Sequence, residues 1–98
     1  MEIKKIKNDS ALTLTVSGRL ETTTAPELDA VIKSELEGIT DLTFDFSALE
    51  YISSAGLRVL LTAQKIMNRQ GKMKVAGANE IVTEIFDITG FSGILCLE

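Results

Sequence analysis

Tyr51-Ile52-Ser53-Ser54-Ala55-Gly56-Leu57-Arg58-Val59-Leu60-Leu61-Thr62 joins an extended apolar segment to a helical pattern through two serines and a glycine. Leu57, Leu60, Leu61 and Met67 recur at helical spacing, and Val59, Ala63 and Ile66 widen that apolar face. Arg58, Thr62, Lys65 and Arg69 form the opposite polar stripe. This predicts a helix from about Ser54 to Gln70, with Gly71 placed as a left-handed cap. Upstream, Leu42, Phe44 and Phe46 alternate with Thr43 and Asp45, so a strand leads toward the same turn through a short irregular bridge, Ser47 to Glu50. Ser53 and Ser54 therefore stand where the first N–H groups of a helix lack partners. A serine oxygen can accept from them, and a phosphate would meet the same groups and the positive end of the helix dipole.

The remaining chain follows the same logic. Glu2 to Asn8 is a weaker strand pattern, ended by the turn signal Asn8-Asp9-Ser10. Leu12, Leu14 and Val16 alternate with Thr13, Thr15 and Ser17 up to Gly18, so the first two strands should pair as a hairpin. Thr24-Ala-Pro-Glu27 has the form of a capping box that opens a helix, with Leu28, Val31, Ile32 and Leu36 inward and Gly38 as its stop. Met73 and Val75 mark another strand. Asn79 then caps a third helix, with Val82, Ile85, Phe86 and Thr89 on one side and Gly90 at its end. Ile94 to Leu97 reads as a last short strand. The order β-β-α-β-α-β-α-β predicts a single α/β domain over residues 1–98, with a mixed, largely parallel sheet of about four to five strands and three main helices.

Composition removes several classes of function. Ninety-eight residues suffice for one core and leave no room for a separate catalytic module. The formal charge of -4 argues against nucleic acid, which demands clustered Lys and Arg and aromatic stacking platforms; Lys4, Lys5 and Lys7 read as a solvated first strand. The chain has no histidine, so the usual base for a serine or cysteine nucleophile and the commonest transition-metal ligand are both missing. No metal or cofactor is expected. Cys96, the single cysteine, lies in an apolar run and reads as a core thiol. With no apolar run of signal-peptide or membrane-spanning length, the expectation is a cytoplasmic protein without a membrane partner.

The Tyr51–Leu61 stretch closely resembles the signature of anti-sigma factor antagonists, small bacterial regulators of transcription that carry a STAS (sulfate transporter and anti-sigma antagonist) domain. In that family the motif runs roughly Asp-Ser-Ser/Thr-Gly-Leu, and the serine after the acidic position is phosphorylated. Aligning Gly56-Leu57 with Gly-Leu puts Ser54 on the phosphorylated serine, Ser53 on the acidic position and Ala55 on the second hydroxyl residue, the last two being departures from the pattern. The resemblance implies a STAS fold and a non-enzymatic partner switch, monomeric when free. Unphosphorylated, the protein would capture an anti-sigma factor that is also a GHKL-type serine kinase, using ATP and magnesium, and so free the sigma factor. Phosphorylation would end the capture, and a phosphoserine phosphatase would reset it.

Residue by residue, the functional reading has a plainer competitor. Ser54 on spacing alone is an N-cap worth about 1 kcal/mol; the resemblance makes it the phosphorylation site, with Ser53 as the second candidate acceptor. Gly56 would let a partner or the preceding strand approach the backbone closely. Glu21 matches an acidic position on the family's loop before the first helix, and Arg58, one turn from Ser54, is a candidate partner contact; Ser53, Ser54, Ala55 and Gly56 complete that surface. Asp45 is either a solvated strand residue or the acceptor of a receiver-like domain, but receivers need an acidic magnesium cluster after the first strand, and Val16-Ser-Gly-Arg-Leu20 lacks one. The same residues would also suit a STAS module in a non-sigma pathway, or a nucleotide or small-ligand sensor. The sensor has only the Ser53-Ser54 helix start to offer, since no Gly-rich phosphate loop is present.

Overall fold

The computed structural model describes residues 1–98. Strands β1 (Glu2–Asn8) and β2 (Ala11–Leu20) are followed by α1 (Ala25–Glu35), β3 (Asp41–Asp45), β4 (Leu49–Ile52), α2 (Ser54–Gln70), β5 (Lys72–Ala76) and α3 (Glu80–Thr89). β1 and β2 form the antiparallel hairpin; β2 pairs in parallel with β3, β3 with β5, and β2 also with β4. The three helices and the mixed, mostly parallel five-stranded sheet agree with the sequence reading, whose order changes only by the gain of β4 before α2 and the reduction of the last strand to a bridge.

Period-two alternation produces the sheet's inner face. Leu12, Leu42 and Met73 stand in register across β2, β3 and β5, as do Leu14, Phe44 and Val75. All six are buried. The helices complete one cluster of 24 buried apolar residues, to which α2 contributes Leu57, Val59, Leu60, Ala63 and Met67. No polar or charged residue is buried as a whole. No helix is long and apolar enough to cross a membrane.

Strand β4 lies where the sequence suggested an irregular bridge. β2 is ten residues long and β3 only five, so β2 runs past β3 and leaves Gly18–Leu20 with a free edge. Leu49, Tyr51 and Ile52 fill it, opposite Gly18, Arg19 and Leu20, with Glu50 as the extra residue of a bulge. Gly18 accommodates the irregularity at φ 85°, so the strand continues through it. The last strand shrinks correspondingly: a 3-10 turn at Phe91–Gly93 leads to a single parallel bridge between Leu97 and Val75.

Four local expectations are corrected. Gly71 is extended, at φ 173°, and is needed because a Cβ there would run into the Thr40 carbonyl. The capping box does not form, since the Thr24 hydroxyl accepts from Glu21 N–H at 2.9 Å and donates to the Arg19 carbonyl at 2.8 Å, tying the β2–α1 loop instead. α1 ends at Glu35 with Leu36 as its cap, ahead of Gly38. Cys96 is exposed: its carbonyl accepts from Val75 N–H at 2.8 Å while Leu95, beside it, takes the buried position, and alternation turns the thiol outward. The Asn79 cap and the left-handed Gly90 cap of α3 form as the sequence suggested.

Candidate functional site: the β4–α2 turn

The turn carrying the two serines is launched by Asp45. Its Oδ1 accepts from the Ser47 N–H at 3.0 Å, closing a short turn that swings the chain from β3 into β4. Hydrogen bonds from Ser47 hold the Asp45 carboxyl below the usual carboxylate range, because they favour its charged form. Asp45 thus has a structural task, and no cluster of acidic side chains surrounds it for metal binding.

From β4 the chain passes into α2 without a loop. The Ser53 N–H donates to the Leu20 carbonyl at 2.9 Å, the last rung beside β2, and the Ser53 carbonyl accepts from Leu57 N–H at 2.9 Å, the first rung of the helix. Ser53 is the N-cap and Ser54 the first helical residue. Close packing holds this junction: a Cβ on buried Gly56 would lie 2.7 Å from Leu20 Cγ and 2.8 Å from Ile52 Cγ1, so only glycine lets α2 start this near the β2–β4 pair.

The two serines end in opposite environments. Ser54 is exposed, whereas the Ser53 hydroxyl oxygen is shut off from solvent and has no hydrogen-bond partner. Ser53 therefore does not cap α2 with its side chain, although its type and place suggested it would. The first turn of α2 holds no acidic residue, which leaves the positive end of its dipole uncompensated. Ala55 is half-buried, and Arg58 is exposed one turn beyond Ser54.

Glu21 reaches the same end of the molecule, since Leu20 pairs with Ile52. Its carboxylate receives Arg19 Nε at 2.7 Å, and the Arg19 guanidinium lies 4.6 Å over the Tyr51 ring. This Arg19–Glu21–Tyr51 group escaped the sequence reading because Tyr51 lies 32 positions after Arg19 and only the β2–β4 register joins them. Thr89 and Phe91, which share a cleft with Ser54, Leu57, Arg58 and Leu61, escaped because they come from the end of α3 and the turn after it, more than thirty positions from Ser54. Lys65 and Arg69 remain a solvated stripe farther along α2.

Comparison with known proteins identifies the family to which this fold belongs. The STAS domain model matches residues 2–97. The chain is 33% identical over 96 residues to BtrV of Bordetella bronchiseptica, covering 96% of this chain and 83% of that protein. It is 29% identical over 97 residues to the anti-sigma-B factor antagonist of Staphylococcus epidermidis, covering 97% and 90%. Among solved structures, Bacillus SpoIIAA superposes in its unphosphorylated form with a TM-score of 0.77 at 12% identity, over 99% of this chain and 87% of that one. Its phosphorylated form gives 0.77 at 13% identity, over 99% and 91%. At such identity the likeness is one of fold. With the family model spanning nearly every residue and the strand-to-helix serine turn in place, this chain belongs to the STAS domain family.

Proposed function

We propose that this protein is an anti-sigma factor antagonist whose unphosphorylated form captures an anti-sigma factor, a serine kinase of GHKL type, and whose phosphorylation at Ser54 ends the capture. The family membership supports it, as does similarity along nearly the whole chain to a protein named an anti-sigma-B factor antagonist. One observation carries the choice of acceptor: the Ser54 side chain is open to solvent on the first turn of α2, while the Ser53 oxygen is sealed beneath it.

The chain acts as substrate. Ser54 Oγ attacks the γ-phosphorus of ATP held by the kinase; a new O–P bond forms, the bond to the ADP oxygen breaks, and the hydroxyl proton passes to a base of the kinase. Catalysis, ATP and magnesium belong to that partner, and a phosphoserine phosphatase reverses the modification. A phosphoserine brings a charge of about -1.5 to -2, and the start of a helix with no acidic first turn tolerates it. The fold should therefore persist while the surface changes. Within a partner interface formed by Ser54, Ala55, Arg58 and Glu21, with Ser53 and Gly56 beneath, a desolvated phosphate that the partner itself does not pair would cost about 2 to 5 kcal/mol, roughly 30-fold to several thousand-fold in affinity.

The test is intact-mass analysis and site mapping after incubation with a candidate GHKL kinase, ATP and magnesium. One phosphate on Ser54, absent from Ser54→Ala, is the expected result. In parallel, Ser54→Asp should bind the kinase at least about 30-fold more weakly, with Ser54→Ala unchanged. Equal binding by all three proteins would defeat the switch.

A further inference from the structure

Ser54 and Arg58 line one cleft between α2 and the Phe91–Gly93 turn. Arg58 is exposed, and it forms none of the molecule's ion pairs. Two nearby carboxylates are already engaged. Asp29, which lines the α1–α2 groove with Arg58, is bound to Lys33 at 2.8 Å, and Glu21 is bound to Arg19 at 2.7 Å. The nearby Thr62 hydroxyl donates to the Arg58 carbonyl and leaves its guanidinium untouched. A free guanidinium thus stands one helical turn after the exposed hydroxyl.

We propose that Arg58 is an intramolecular clamp for a phosphate on Ser54. This rests on the reading of Ser54 as the modified residue. Side chains four apart on a helix are neighbours, with Cβ atoms about 5–6 Å apart, and an anion N-terminal to a cation is the favourable order. The guanidinium fork matches two phosphate oxygens, which a lysine's point charge cannot do. Phosphorylation would then make two changes together. It adds negative charge at Ser54 and withdraws the positive charge that unmodified Arg58 offers to a partner.

The clamp is testable without any kinase, in the full chain carrying genetically incorporated phosphoserine at position 54. Phosphorus NMR titration reads the second ionisation of the phosphate, ordinarily near pH 6. With Arg58 present its midpoint should lie about 0.3 to 1 unit below that of Arg58→Gln, with Arg58→Lys between them. The start of α2 is common to all three proteins, so its effect cancels. Exchange of the Arg58 Nε–H with water should also slow severalfold in the phosphorylated chain relative to the unmodified one. Equal midpoints in the phosphorylated parent chain and its Arg58→Gln variant would overturn the clamp, and so would a midpoint difference with no slowing, which marks a diffuse field effect. Failure of a kinase to modify Ser54 would instead count against the proposed function, and the two outcomes are separable.

Discussion

Asn79 is bound to Leu49 across thirty positions of sequence: its Nδ2 donates to the Leu49 carbonyl at 3.0 Å while its Oδ1 accepts from Val82 N–H at 2.8 Å. One side chain caps α3 and fastens it to β4, the strand that delivers the serine turn. Asn79→Ala removes both bonds and should cost about 1–3 kcal/mol. For a domain of this size that lowers the thermal midpoint by about 4–8 °C per kcal/mol. Asn79→Asp keeps the cap and loses only the donor to Leu49, so it should fall between wild type and alanine. Matching midpoints for Asp and wild type would show that the tie to β4 carries no energy.

Ser53→Ala should behave unlike an ordinary cap deletion. Losing a serine cap typically costs about 1 kcal/mol, but this hydroxyl makes no capping bond and is buried unpaired. Its removal relieves a desolvated polar atom, so urea unfolding should give a stability equal to wild type or up to about 1 kcal/mol higher. A loss of about 1 kcal/mol or more would mean that the hydroxyl has a partner after all.

Gly56→Ala sets two effects against each other. A helix favours alanine over glycine by about 1 kcal/mol. Against that, the added methyl enters a space already filled by buried Leu20 and Ile52, and overpacking costs about 1–3 kcal/mol. Both clashes involve inner carbons of branched side chains, which cannot swing away as a flexible tip would, so the substitution should be net destabilising by up to about 2 kcal/mol. A raised urea midpoint would contradict the close approach of α2 to the β2–β4 pair.

Asp45 gives the protein a defined acid sensitivity. Its carboxyl titrates below its ordinary value because Ser47 hydrogen-bonds the charged form. A depressed folded-state value stabilises the fold above the unfolded pKa, about 3.9, and that contribution disappears as pH falls through the lower folded value. The stability gap between wild type and Asp45→Ala should therefore be constant from about pH 5 to 7 and narrow below about pH 4. Urea midpoints at about pH 7 and about pH 3 test this, and a gap that widens in acid would refute the assignment.

Elements whose signals are local were legible in the order of residues alone. Leu12, Leu14 and Val16 alternate over consecutive positions, α2 repeats its apolar residues along a single helix, and Asn79 and Gly90 mark the ends of α3; each needs only its neighbours to be read. The Tyr51–Leu61 motif likewise marked the turn to which the family reading attaches. Tertiary structure decided what depends on distant partners. Leu49–Ile52 became a strand because β2 outruns β3, and Cys96 turned outward because Leu95 took the buried place. Thr24 gave up its helix cap for the Arg19 and Glu21 backbone. The same holds at the site: Ser53 and Ser54 are chemically identical neighbours. Only the folded β4–α2 junction seals one hydroxyl and leaves the other in water, because burial is set by which surfaces meet and not by residue type.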